Sequence, residues 1–110
     1  MVEQNPDIDS IFRAIADPTR RQMLESLAAR SQTIGELAEP LDMTLAGASK
    51  HIGVLEKSGL VHRKKQGRER LCMLRADGLY AVRHWVEKYS AFWTDRLDAL
   101  EAALKEHTND

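Results

Sequence analysis

The chain has 110 residues, 43% of them apolar and 30% charged, with one cysteine and a formal net charge of −1. That suffices for one small domain with little apolar surface to spare, and it excludes a disordered chain, an internal disulfide and a polycation that coats nucleic acid without selection. No apolar run approaches the roughly 18 residues of a membrane span, and the acidic start (Glu3, Asp7, Asp9) is unlike a signal peptide, so a cytoplasmic protein with no membrane contact is expected.

Asp7 or Asp9 can cap a first helix over 8–16, in which Ile8, Ile11, Phe12 and Ile15 recur at helical spacing. Asp17-Pro18 restarts the chain, with Asp as N-cap and Pro at the first helical position, and a second helix over 18–29 should bury Met23, Leu24 and Leu27. Thr33 and Glu36 have the spacing of a capping box. They open a short third helix carrying Ile34, Leu37 and Ala38 and ending near Pro40. Thr44 caps a fourth, over 44–58, and Gly59 offers a left-handed stop. Beyond it the period changes: 60–64 and 70–74 read as short strands joined by Gln66-Gly67-Arg68-Glu69.

From Asp77 to about residue 106 the pattern is helical again. Val82, Val86, Tyr89, Trp93, Leu97, Leu100 and Leu104 are spaced 4, 3, 4, 4, 3 and 4, and Trp85 and Phe92 widen the stripe. A helix this long cannot lie wholly against so small a domain, so its surplus apolar face is expected to meet the same helix of a second copy, helped by the first helix. The predicted dimer interface is Ile8, Phe12, Val82, Trp85, Val86, Tyr89, Trp93, Leu97 and Leu100. The fold expected over 1–110 is a single, mainly α winged helix-turn-helix domain with a small β-hairpin, in which 8–16 and 77–106 form the dimerisation helices.

Charge agrees with that geometry. Residues 41–70 hold seven Lys/Arg against three acids, a net of +4, so the rest of the chain carries −5. A helix-turn-helix followed by a basic hairpin is the shape of a double-stranded DNA binder. With Ala48, Ile52 and Leu55 toward the core, the opposite face of the fourth helix is Ala46, Lys50, Gly53 and Lys57, flanked by Gly47 and Ser49. Small residues with few cations let a helix sit deep in a groove about 12 Å wide.

Thr44 and the amides after it suit a phosphate, and Lys50 can reach guanine or phosphate. Ser49 and His51 can hydrogen-bond bases or backbone, a packing or structural hydrogen-bond role for His51 standing level with that. Arg63, Lys64, Lys65, Arg68 and Arg70 are the expected phosphate or minor-groove contacts. Leu45 either packs on the preceding helix or touches a thymine methyl. Arg20 and Arg21 either meet phosphate or pair with an acid. Two rival functions stand beside this: a small-molecule sensor with an effector pocket among the aromatics of the last helix, and a winged helix that binds protein instead of DNA. No phosphate loop, nucleophile elbow or paired carboxylates suggest an enzyme.

Asp17-Pro18-Thr19-Arg20-Arg21, then Leu37-Ala38, then Ser49-Lys50-His51-Ile52-x-x-Leu55-x-x-Ser58-Gly59-Leu60-Val61 and a basic wing together resemble the ArsR/SmtB family over roughly residues 8–106. The resemblance implies a homodimeric winged-helix transcriptional regulator on a palindromic operator, usually a repressor released by an effector. The family's metal-sensing motifs are incomplete here. Ile34-Gly35-Glu36-Leu37 stands where some members carry Cys-x-Cys, and Asp77 is followed by Gly78 and Leu79 where others carry Asp-x-His. His84 and Glu87 keep the spacing of a second pair but make half a site, since zinc takes four ligands or three plus water; they read as a solvated i,i+3 pair, with two half-sites meeting across a dimer as the alternative. Cys72 is alone, so dithiol sensing lacks a partner. No metal or cofactor is expected, the effector stays unassigned, and autorepression by the protein's own concentration is the default mode of control.

Overall fold

Each of the first four helices begins at a cap that the sequence marks. The computed structural model describes residues 7–108, so Glu3 lies outside the described residues. The Asp7 carboxylate accepts from the Asp9 amide and starts α1 (Ile8–Ile15). The Asp17 carboxylate accepts from the amides of Thr19 at 2.7 Å and Arg20 at 3.2 Å and starts α2 (Pro18–Ala29). Thr33 and Glu36 form a complete capping box on α3 (Ile34–Ala38), which runs into a 3-10 turn at Glu39–Leu41. Thr44 starts α4 (Leu45–Lys57).

The end of α4 is a Schellman stop. The Gly59 amide donates to Glu56 O at 3.1 Å and the Leu60 amide to Leu55 O at 3.0 Å, with Gly59 at φ +83°. Leu60 and Leu55 are both fully buried, the apolar contact that accompanies this motif. Leu60 therefore ends the helix instead of opening the strand. β1 (Val61–Gln66) and β2 (Glu69–Leu74) pair antiparallel from Val61↔Leu74 to Gln66↔Glu69. The ladder runs two residues further on β1, and one on β2, than the expected strands. Gly67, at φ +64°, takes the first central position of a two-residue turn and lets the strands pair to the tip.

At its base β2 is joined on its other edge by Gln32, whose backbone exchanges two hydrogen bonds with Cys72. The Gln32 side chain donates to Ser26 O and Oγ, so this buried amide is satisfied. The core is Ile11 and Ala14 of α1, Met23 and Leu27 of α2, Leu37 and Ala38 of α3, Ala48, Ile52 and Leu55 of α4, and Leu60, Val61 and Cys72.

α5 (Ala76–Thr108) packs on this core only through its first turns, by Ala81 and Val82. It starts in a tight seat. A Cβ on Gly78 would stand 2.8 Å from Leu60 Cδ2 and 2.9 Å from the Gly59 carbonyl oxygen. From Arg83 to His107 every residue is exposed, and the long helix stretches the protomer to 71 Å.

Two substitutions to alanine in helices should act with opposite signs. Gly78→Ala drives a methyl into backbone, an overpacking cost of about 1–3 kcal/mol that outweighs the propensity gain of up to about 1 kcal/mol. Gly53→Ala meets nothing within 4 Å and should stabilise by up to about 1 kcal/mol. Urea unfolding of both variants reads the signs. The Asp17 cap gives an acid-side prediction. The Arg20 amide, ahead of the Thr19 amide and the Arg20 charge, holds the Asp17 carboxyl below its ordinary value. Its contribution is thus present above the ordinary carboxylate range and lost as pH falls through the folded value. Asp17→Ala should cost about 1 kcal/mol at neutral pH, and the gap to wild type should close in acid.

Candidate nucleic-acid interface

α4 rests on α1, α2 and α3, with β1 beyond its end. Full burial of Ala48, Ile52 and Leu55 turns the opposite side outward, leaving Ala46, Lys50 and Lys57 exposed with the bare Gly53 between them. Gly47 and Ser49 flank this face, half-buried. Thr44 Oγ1 accepts from the Gly47 amide at 3.0 Å. The amides of Leu45 and Ala46, the first of the helix, have no acceptor within it and sit at its positive end. Leu45 is 63% exposed. It borders α3 near Gly35, where an added Cβ would stand 3.8 Å from Leu45 Cδ2.

In the wing, Lys64, Lys65, Arg68 and Arg70 are exposed. Strand alternation puts Arg63 and Lys65, with Arg70 opposite Lys65, on the side of α4, where they and Glu56 line an open cleft of about 490 Å³. Arg63 differs from the other wing cations. Its Nη2 lies 3.4 Å from Glu56 Oε1, and its Nε is buried without a hydrogen-bond partner. Much of its charge is turned to Glu56, which leaves Lys64, Lys65, Arg68 and Arg70 as the wing's freely presented cations.

Arg20 forms the ion pair with an acid that the sequence allowed, to Asp17, and both Arg20 and Arg21 add a role that the sequence does not name. Arg20 Nε donates to Ala14 O at 2.7 Å and Nη2 to Arg13 O at 3.1 Å, while Arg21 Nη1 donates to Ile15 O at 2.7 Å. They cap the last carbonyls of α1, at the negative end of its dipole. Arg20 Nη1 also lies 3.2 Å from His51 Nδ1 on α4, with Asp17 Oδ2 3.8 Å away. His51 thus makes a structural hydrogen bond while standing at the edge of the outward face of α4. Local spacing carries no signal for a contact between positions 20 and 51.

On α5, Trp85 stacks edge-on against Phe12 of α1 at 5.0 Å and lies 4.8 Å from Tyr89. Phe92 contacts Trp93 at 5.7 Å, with Arg96 over its ring at 4.6 Å. Val86, Trp93, Leu97, Leu100 and Leu104 are 49–60% exposed. Ile8 and Val82, by contrast, pack on the protomer's own core. Asp77 pairs with Arg75 at 3.2 Å and Glu87 with Arg83 at 3.4 Å. Among the described residues no three His, Cys, Asp or Glu are grouped to hold a metal ion. Burial pushes the Cys72 thiol above its ordinary value, which makes it a poor nucleophile. No helix of the described residues is long and apolar enough to cross a membrane.

A helix-turn-helix domain model matches residues 15–64. The HTH-type transcriptional regulator Rv2034 of Mycobacterium tuberculosis is 32% identical over 102 residues, covering 93% of this chain and 92% of that protein. The transcriptional repressor SdpR of Bacillus subtilis is 34% identical over 61 residues, covering 54% and 68%. Among solved structures, an ArsR family transcriptional regulator is 41% identical with TM-score 0.72, covering 79% of this chain and 96% of that one. A homodimeric winged helix-turn-helix DNA-binding domain of Mycobacterium bovis, 24% identical with TM-score 0.63 and covering 76% and 81%, shares the fold. Capped helices, a small-residue outward face on α4 and a basic wing thus coincide with full-length similarity to such regulators: the chain belongs to the ArsR family of winged helix-turn-helix, DNA-binding transcriptional regulators.

Proposed function

We propose that this regulator acts as a cytoplasmic homodimer and represses transcription from a palindromic operator. In this reading α4 enters the major groove and the wing, 61–75, lies on the backbone or in the minor groove. One observation carries it: the outward face of α4 consists of Ala46, Lys50, Gly53 and Lys57, and the exposed cations Lys64, Lys65, Arg68 and Arg70 stand on the hairpin that follows. Lys50 is the candidate base reader, and the Leu45 and Ala46 amides are candidate phosphate donors. The wing supplies counterion-releasing contacts that raise affinity without reading sequence.

The dimer rests on α5. An apolar and aromatic stripe from Trp85 to Leu104 stands 40–60% exposed on one helix, far more continuous than the scattered apolar residues of an ordinary surface. Pairing with its counterpart covers it and sets two copies of α4 about 34 Å apart, one helical turn of DNA, which requires a palindrome. Kinship with a Bacillus repressor supports repression as the sign of control.

Titration of the gene's own upstream DNA at several salt concentrations tests the interface. Lys50→Ala should lose discrimination against unrelated DNA by about tenfold or more per half-site. Arg68→Ala should keep discrimination but flatten the log–log salt slope by about 2, one phosphate per protomer at about 0.9 each. Equal, weak binding of wild type to any sequence would overturn the reading. For the dimer, Leu97→Asp places a charge at a site that is exposed in the protomer. It should leave helix content intact and give a monomer in sedimentation with greatly reduced operator binding; a stable dimer would sink the α5 seam.

A further inference from the structure

The contact between Arg20 and His51 fixes more than position. An arginine side chain carries five donors and no acceptor. His51 Nδ1, 3.2 Å from Arg20 Nη1, can therefore only accept. A ring that accepts at Nδ1 is neutral and holds its one proton on Nε2. The guanidinium is not free to turn away, because its Nε and Nη2 are bound to the carbonyls of Ala14 and Arg13 and Asp17 flanks it. On the other side of the ring, His51 Nε2 has no acceptor among the described residues, and it is not a buried polar atom left without one. Its N–H is presented to solvent from a half-buried ring at the edge of α4.

We infer that Arg20 is a positioning residue that locks His51 in the Nε2–H tautomer, and that this N–H donates to a phosphate oxygen of the DNA backbone. This rests on the proposed docking of α4 and adds to it the chemistry of one contact. His51 lies toward the core side of the helix, away from the outward row of Ala46, Lys50, Gly53 and Lys57, so the sugar-phosphate wall of the groove is nearer to it than the base edges. The positive charge of Arg20 directly behind the ring favours an anionic acceptor, and a donor to a charged group makes the stronger kind of hydrogen bond. Because the ring is neutral, it holds a phosphate without releasing a counterion, unlike the lysines and arginines of the wing.

The test separates the two ends of the ring. Long-range 1H–15N NMR of the free wild-type protein at mildly alkaline pH should show His51 protonated on Nε2; a proton on Nδ1 would overturn the lock. His51→Asn keeps an acceptor where Nδ1 stood and removes the outward donor, while His51→Gln does the reverse. His51→Asn should unfold in urea like wild type, yet bind both the gene's upstream DNA and a mixed-sequence duplex about tenfold more weakly, with the salt slope unchanged. His51→Gln should keep more of the affinity than His51→Asn. A loss confined to the upstream DNA would assign the N–H to a base and overturn the phosphate contact, as would no loss at all. Failure of the docking model itself would show in the wild-type chain, which would then bind neither duplex, and the phosphate contact would fall with it while the NMR result stood.

Discussion

The groove-reading surface proposed for this protein depends on the rotational phase of α4. That phase is set by burial. Ala48, Ile52 and Leu55 are each inaccessible to solvent, and turning the helix by one residue, about 100°, would bring Ser49 and Glu56 into their places. Burying a glutamate without a partner costs far more than the propensity differences along the helix. The two ends confirm the phase independently: Thr44 holds the first turn, and the Gly59-Leu60 stop returns the chain into the core at Leu60. The small-residue face is thus what remains after the core has taken its share. Gly53 is tolerated in mid-helix because tertiary packing on the far side exceeds its propensity cost.

The same hairpin serves two demands that pull on one set of charges. At its base, strand alternation buries Val61 and Cys72, and Arg63 on that face is drawn to Glu56. Toward the tip, Lys65 and Arg70 share that face but have left the core behind, and Arg68 sits in the turn itself. Distance from the core decides which cations are committed to the fold and which are available. Arg20 illustrates the same division within α2. Although it is a cation at a helix N-terminus, where its own helix dipole opposes it, it is stabilised by the carbonyls ending α1. It counts as structure rather than as part of the charge proposed to face DNA.

Features governed by local physics were legible in the sequence. The caps at Asp17, Thr33 and Thr44 and the stop at Gly59 each require particular residue types at fixed offsets, and all stand where those offsets put them. The apolar period of α4 likewise foretold its buried face. The strand limits were less legible, because Leu60 reads equally well as a strand residue until its amide is seen to close the Schellman stop. Contacts between distant positions were not legible at all. Nothing in the order of residues says that Arg20 reaches His51, that Arg63 turns to Glu56, or that Gly78 must be bare because the Gly59 carbonyl lies against it. The residues proposed to face DNA fall between these cases: their exposure follows from the helix period, while their individual partners on DNA depend on docking.

In the proposed dimer, α1 is the element that joins the two working surfaces of the protomer. On one side Phe12 packs edge-on against Trp85, where α5 leaves the core and its exposed stripe begins. At its C-terminus the carbonyls of Arg13 and Ala14 hold the Arg20 guanidinium, which in turn touches His51 on α4. Each step is a direct contact of 5.0 Å between rings or 3.2 Å or less between polar atoms. Ile11 and Ala14, both fully buried, keep this eight-residue helix from sliding. In that dimer a change in how two copies of α5 cross would bear on Phe12, at one end of the series of contacts that leads through α1 to Arg20 and His51. Through α1, direct contacts thus join the helix that bears the exposed apolar stripe to the helix proposed to meet DNA.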